Sequence, residues 1–96
     1  MYSIDECKEI LSNISVNDII VGEHFRIRLS QREFDISGKL LEYITQPNTK
    51  ITRAKGYNRF MLKFFCKPLG RKVVIIIAIN EAKQVILITM YDFLRR

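Results

Sequence analysis

Arg59-Phe60-Met61-Leu62-Lys63-Phe64-Phe65-Cys66-Lys67 carries the period that decides the fold. Side chains two apart in a strand share a face, so Phe60, Leu62, Phe64 and Cys66 form one apolar side. Arg59, Met61, Lys63, Phe65 and Lys67 form the other, a mixed face fit for solvent. The same period extends outward and predicts four strands, at residues 50–55, 59–67, 72–80 and 84–92. Short connections at Gly56-Tyr57-Asn58, Pro68-Leu69-Gly70 and Glu81-Ala82-Lys83 make neighbouring strands antiparallel, in a meander. Lys67-Pro68-Leu69-Gly70 has the residue order of a type I turn. Val73 to Ile79 is apolar on both faces, which places that strand centrally and covers it on both sides along part of its length.

Upstream of residue 48 the period is helical. Ser3-Ile4-Asp5-Glu6 reads as a capping box opening a short helix over residues 3–11, with Ile4, Cys7, Ile10 and Leu11 on one face. Asp18-Ile19-Ile20-Val21-Gly22 reads either as a brief extended stretch or as the approach to the next helix. That helix runs over residues 23–34, with Phe25 and Leu29 four apart. Asp35-Ile36-Ser37 then turns into a helix carrying Leu40, Leu41, Tyr43 and Ile44, which Pro47 ends. The expected fold class is therefore α+β, with N-terminal helices packed on one face of a four-stranded antiparallel sheet. At 96 residues the chain holds a single domain, 1–96. Uninterrupted alternation in the last strand sets Thr89 and Tyr91 on the face of Val85 and Leu87, as packing or hydrogen-bonding residues and not as catalysts.

Charge narrows the partner. The sixteen Lys and Arg outnumber ten Asp and Glu, a formal net charge of +6. Residues 1–25 hold five acids and one Lys, so they are acidic and the remainder is strongly basic. Between Lys50 and Lys72 lie eight cations and no acid. Such a segment favours an anionic partner, RNA first, or else it is a solvated face with strand-edge lysines that discourage pairing. For nucleic acid the candidate contacts are Arg53, Lys55, Tyr57, Arg59, Lys63 and Phe65, cations for phosphates and rings for bases. Cys7 and Cys66 fit no metal spacing and read as reduced, buried thiols. No apolar signal core or membrane-length run occurs, which leads to the expectation of a cytoplasmic protein without membrane or cofactor.

His24, Arg28 and Arg32 recur at every fourth position, along one stripe of a helix. Guanidinium forks bind phosphate, and an imidazole moves protons near neutrality. The alternative is a solvated stripe whose arginines pair with Glu23, Glu33, Asp35 or Glu42. The order His24-x3-Arg28-x3-Arg32, then Asp35-Ile36-Ser37, then strands ending in Val85-Ile86-Leu87-Ile88-Thr89-Met90-Tyr91 resembles a small domain-of-unknown-function family grouped with the RelE/ParE-like toxins of toxin–antitoxin systems. The resemblance covers Val21 to Tyr91, with a core at about 21–92. Phe25 stands where that family has a small residue, and Glu33 where it has glycine.

What the resemblance implies is a RelE-like fold and an RNA-binding protein that extends to metal-independent endoribonuclease chemistry. His24 would then act as general acid/base, with Arg28 and Arg32 stabilising charge on the phosphorane. The competing expectations are a non-catalytic nucleic-acid-binding module, or an interaction protein whose basic face is covered by an acidic, antitoxin-like partner.

Overall fold

A computed structural model describes residues 1–30, 40–46, 48–67 and 70–93; the side chains at 28–30, 40, 41, 71, 92 and 93 lie outside the description. The described elements are α1 (Ile4–Ser12), a single 3-10 turn (Val16–Asp18), β1 (Ile19–Val21), α2 (Glu23–Ser30), α3 (Leu40–Thr45), β2 (Lys50–Arg53), β3 (Arg59–Cys66), β4 (Arg71–Ile79) and β5 (Val85–Phe93).

The capping box forms as its residues require. Ser3 Oγ accepts from the Glu6 backbone N–H at 3.1 Å, and the Glu6 carboxylate accepts from the Ser3 N–H at 2.8 Å. Hydrogen bonds from Ser3 favour the ionised form and hold the Glu6 carboxyl below its ordinary range. Helix α1 then buries Cys7 and Leu11. The predicted turn at residues 35–37, residues 31–34 assigned to the second helix, Pro47, and the centre of the turn at residues 68–69 all lie outside the described residues.

Strands β2 to β5 form the expected antiparallel meander, within a residue or two of the predicted bounds. The sheet as a whole is not four-stranded and antiparallel. It has five strands in the order β1-β5-β4-β3-β2, and β1 pairs parallel with β5, Ile19 opposite Val85 and Val21 opposite Leu87. The overturned expectation fails on β1, three residues too short to show any period. Its backbone finds partners in β5, some 66 residues further along the chain, and covers what would otherwise be an open edge. The α+β class stands; the all-antiparallel sheet is replaced by a mixed one.

Helix α2 follows β1 through Gly22, whose N–H donates to the Leu87 carbonyl at 2.9 Å. A Cβ at Gly22 would lie 2.7 Å from that same carbonyl oxygen, so only glycine permits this approach of the helix start to β5.

A second correction concerns β5. Ile77 pairs with Leu87 but Ile76 pairs with Thr89, so one extra residue, Ile88, enters β5 as a bulge. The bulge reverses the alternation. Val85 and Leu87 stay on the covered face with fully buried side chains, whereas Thr89 and Tyr91 turn to the opposite face and Met90 takes the buried side.

All three described helices contribute to the covered face. Phe25 from α2, Tyr43 and Ile44 from α3, and Cys7 and Leu11 from α1 join Phe60, Leu62, Phe64, Val73, Ile75, Ile77, Leu87 and Met90 in one core. Burying each large side chain contributes roughly 1.5–3 kcal/mol. Tyr43 stacks on Phe64 at 4.8 Å between ring centroids, 13° from parallel, which seats α3 on β3. Both cysteines are free thiols and buried. No helix among the described residues is long and apolar enough to cross a membrane.

Candidate nucleic-acid interface

Lys50, Thr52, Met61, Lys63, Phe65, Lys72, Val74, Ile76, Ala78, Ile86, Thr89 and Tyr91 project from the face opposite the core, by the register of the ladders. Val74 is fully buried there yet lies outside the core cluster. Towards β1 the face is apolar, with Ile20 exposed beside its partner Ile86. Towards β3 it is cationic.

The cationic end has a shape. Strand β2 stops pairing at Lys50, opposite Lys63, so β3 runs on through Phe64, Phe65 and Cys66 with no β2 residue beside it. A groove of about 980 Å³ opens along this free stretch, between the strand and α3. Lys50, Lys63, Lys67 and Lys72 line it with Phe65, and Glu42 is the one acid among the described lining residues. Phe65 keeps 55% of its surface exposed, a large apolar ring left in water between lysines. The stacked pair of Tyr43 and Phe64 backs the groove. Burial raises the Tyr43 phenol above its ordinary range, so Tyr43, whose oxygen accepts from the Cys66 thiol at 3.8 Å, serves here as a neutral wall.

The residues singled out from the sequence fall in three places. Lys63 and Phe65 stand together in the groove. Arg59 shares their face, but it pairs with Ala78 while Lys63 pairs with Val74, which sets it about 13 Å further along the strand. Lys55 and the 72%-exposed Tyr57 lie in the connection at that far end. Arg53 points to the other side of the sheet. Its guanidinium lies 5.1 Å from the Phe60 ring centroid and donates to the Tyr2 carbonyl at 2.8 Å, a contact that ties the first residues to β2.

His24 is exposed on α2, next to the buried Phe25, on the core side of the sheet and over β5. Arg28 lies on the same helix with its side chain outside the description, and Arg32 lies outside the described residues. His24 and the groove thus sit over different strands, α2 on β5 and the groove at the free edge of β3, with β4 between; the groove wraps that edge, taking Tyr43 and Phe64 from the core side and Lys50, Lys63, Phe65 and Lys72 from the other. Among the described residues no cluster of His, Cys, Asp and Glu could hold a metal ion.

Sequence reasoning missed Lys50, Lys67 and Lys72 as groove residues, although all belong to the acid-free segment. Their convergence depends on cross-strand register: Lys50 opposite Lys63, and Lys72 opposite Phe65. It also missed Tyr91, which only the bulge brings to this face. The chain matches no family model, no curated protein and no solved structure in these comparisons.

Proposed function

We propose that the protein binds single-stranded RNA on the open sheet face, as a cytoplasmic binding module and not as a nuclease. The observation that carries this reading is the groove itself: four lysines around one solvent-exposed phenylalanine at a free strand end. Lysine ammoniums track phosphates without regard to sequence, and an exposed ring offers a base a stacking surface. A duplex keeps its bases paired inside and cannot use that ring. The separation of His24 from the lysines supports binding over cleavage, because acid/base catalysis needs its proton carrier within hydrogen-bond reach of the phosphate that the cations hold.

Fluorescence anisotropy with a labelled single-stranded RNA tests the reading over a salt series. The affinity should fall steeply with salt, by about 0.7 log units per log salt for each phosphate contact, and Lys63→Gln and Lys72→Gln should each lower that slope by about 0.7. The RNA should be recovered at full length. A flat salt response, or a preference for duplex over single strand, overturns the reading. Cleavage that disappears in His24→Ala overturns its non-catalytic part.

A further inference from the structure

The bulge at Ile88 has a chemical consequence. Without it, Tyr91 would face the core with Val85 and Leu87. With it, Tyr91 sits on the open face opposite Val74, and Val74 is also the partner of Lys63. Phe65 occupies the next row of the same face, opposite Lys72. Two aromatic rings therefore stand on one face, two strands apart and offset by one two-residue step. From strand geometry their Cα atoms are about 12 Å apart. Lys72 lies between them, directly beside Phe65 and diagonal to Tyr91. Tyr91 is half-buried, so part of its side chain reaches solvent.

Resting on the RNA-binding reading above, we propose that Tyr91 is a second base-stacking position and that the site takes an unpaired strand with two splayed bases, one on Phe65 and one on Tyr91, with the intervening phosphate on Lys72. Three features support it. Bulges re-aim side chains, and this one trades a core position for a half-buried ring on the open face, diagonal to Lys72. The two rings are too far apart for neighbouring bases at the duplex repeat of about 3.4 Å, so a stacked helix cannot engage both. An open strand with its bases splayed out can, and aromatic stacking is the usual way such bases are held. The recognised chemistry is thus a flexible, unpaired ribonucleotide segment, sequence-tolerant because every base has a stacking face.

The test uses the full chain and a labelled ten-nucleotide uridine-rich RNA, with a hairpin of matched length as the paired control. Tyr91→Leu and Phe65→Leu should each weaken single-strand binding roughly 10- to 100-fold while leaving the salt slope unchanged, because they remove stacking and not phosphate contacts. Tyr91→Phe should stay within about twofold of the unaltered protein, since the ring and not the hydroxyl is used. Far-ultraviolet circular dichroism of each variant checks that the sheet is intact. A second readout tolerates a weakly folding variant: photo-crosslinking of the unaltered protein to 5-iodouridine RNA should place adducts on Phe65 and on Tyr91. Tyr91→Leu binding within twofold of the unaltered protein, with no adduct on Tyr91, overturns the second stacking position while leaving the RNA-binding reading in place. Failure of the unaltered protein to bind the single strand overturns both.

Discussion

Lys50 and Lys63 stand directly opposite one another across the β2–β3 ladder, on the open side of the sheet. Like charges in that position repel, at a cost of roughly 0.2–1 kcal/mol, and the next row adds Lys72 beside Phe65. Glu42 is the one acid among the described residues that line the groove with these lysines. A bound polyanion would turn the same arrangement from repulsive to attractive, as the proposed RNA-binding role requires.

Lys50→Gln should therefore act with opposite signs on the two states. In the absence of RNA and at low salt it should raise the melting temperature by about 1–6 °C, with the gain shrinking as salt screens the pair. With a saturating single-stranded oligonucleotide the unaltered protein should gain more thermal stability than the variant. Differential scanning fluorimetry with and without RNA, at 20 mM and 500 mM salt (concentrations of about these values suffice), reads both effects. A variant destabilised at low salt without RNA would show that the pair is not repulsive.

Gly22→Ala tests the joint between α2 and β5. Its new Cβ would meet a backbone carbonyl, that of Leu87, at 2.7 Å, and a backbone group cannot swing aside as a flexible side chain can. The helix start must move off the strand, which loosens Phe25 in the core. A loss of about 1–3 kcal/mol is expected from chemical denaturation, with the denaturant slope unchanged. RNA affinity at temperatures where the variant is folded should be unaltered, because α2 packs on β5 and none of its described residues lines the groove at the β3 edge.

These relationships differ in how far the sequence discloses them. β3 is legible because Phe60, Leu62, Phe64 and Cys66 alternate with Arg59, Met61, Lys63 and Phe65, and nothing in the strand interrupts the period. α1 is legible because its cap is local, Ser3 and Glu6 three residues apart. β1 is not, since three apolar residues carry no period and their partners lie far along the chain. The bulge is hidden for another reason. Val85 to Ile88 is apolar at every position, so a slip of one residue leaves no trace in the pattern, and only the ladder register, with Met90 buried between half-buried neighbours, reveals it. The groove follows the same division: Lys63 and Phe65 are visible on one strand, whereas Lys50 and Lys72 join them through register, and the bulge brings Tyr91 to the same face.

Asn58 separates two contributions that a single substitution would mix. It adopts φ +54° in the turn before β3, is 6% exposed, and its side-chain oxygen accepts from the Tyr2 N–H at 2.7 Å. Asn58→Gly keeps the left-handed backbone accessible but abandons the acceptor; Asn58→Ala loses the acceptor and adds the steric cost of that conformation, roughly 1–2 kcal/mol. The order of stability should be Asn, then Gly, then Ala, with about 1 kcal/mol between the variants. Equal stability of the two would show that the Tyr2 contact alone matters at this position.

Cys7 gives the chain a defined response to alkali. The thiol is buried in the core beneath α1, and desolvation pushes it up to about 12, against a smaller opposing pull from Arg53. In the unfolded chain the same thiol ionises near 8.5. Below that value both states hold the proton and Cys7 contributes its full stability. As pH rises from about 8.5 towards 12 the unfolded state releases its proton while the folded state keeps it, so stability falls, by at most about 1.4 kcal/mol per pH unit. Melting temperatures of the unaltered protein and Cys7→Ala, measured from pH 7 to 10.5 (a range of about that width spans the unfolded ionisation), isolate this contribution from the other groups that titrate there. The alanine variant should be less stable at neutral pH, having lost buried volume, and its curve should descend less steeply above pH 8.5. The thiol should also react with a water-soluble disulfide reagent only as fast as the protein unfolds. Parallel pH curves, or immediate modification of Cys7 in the folded state, would show that the thiol is not sealed in the core.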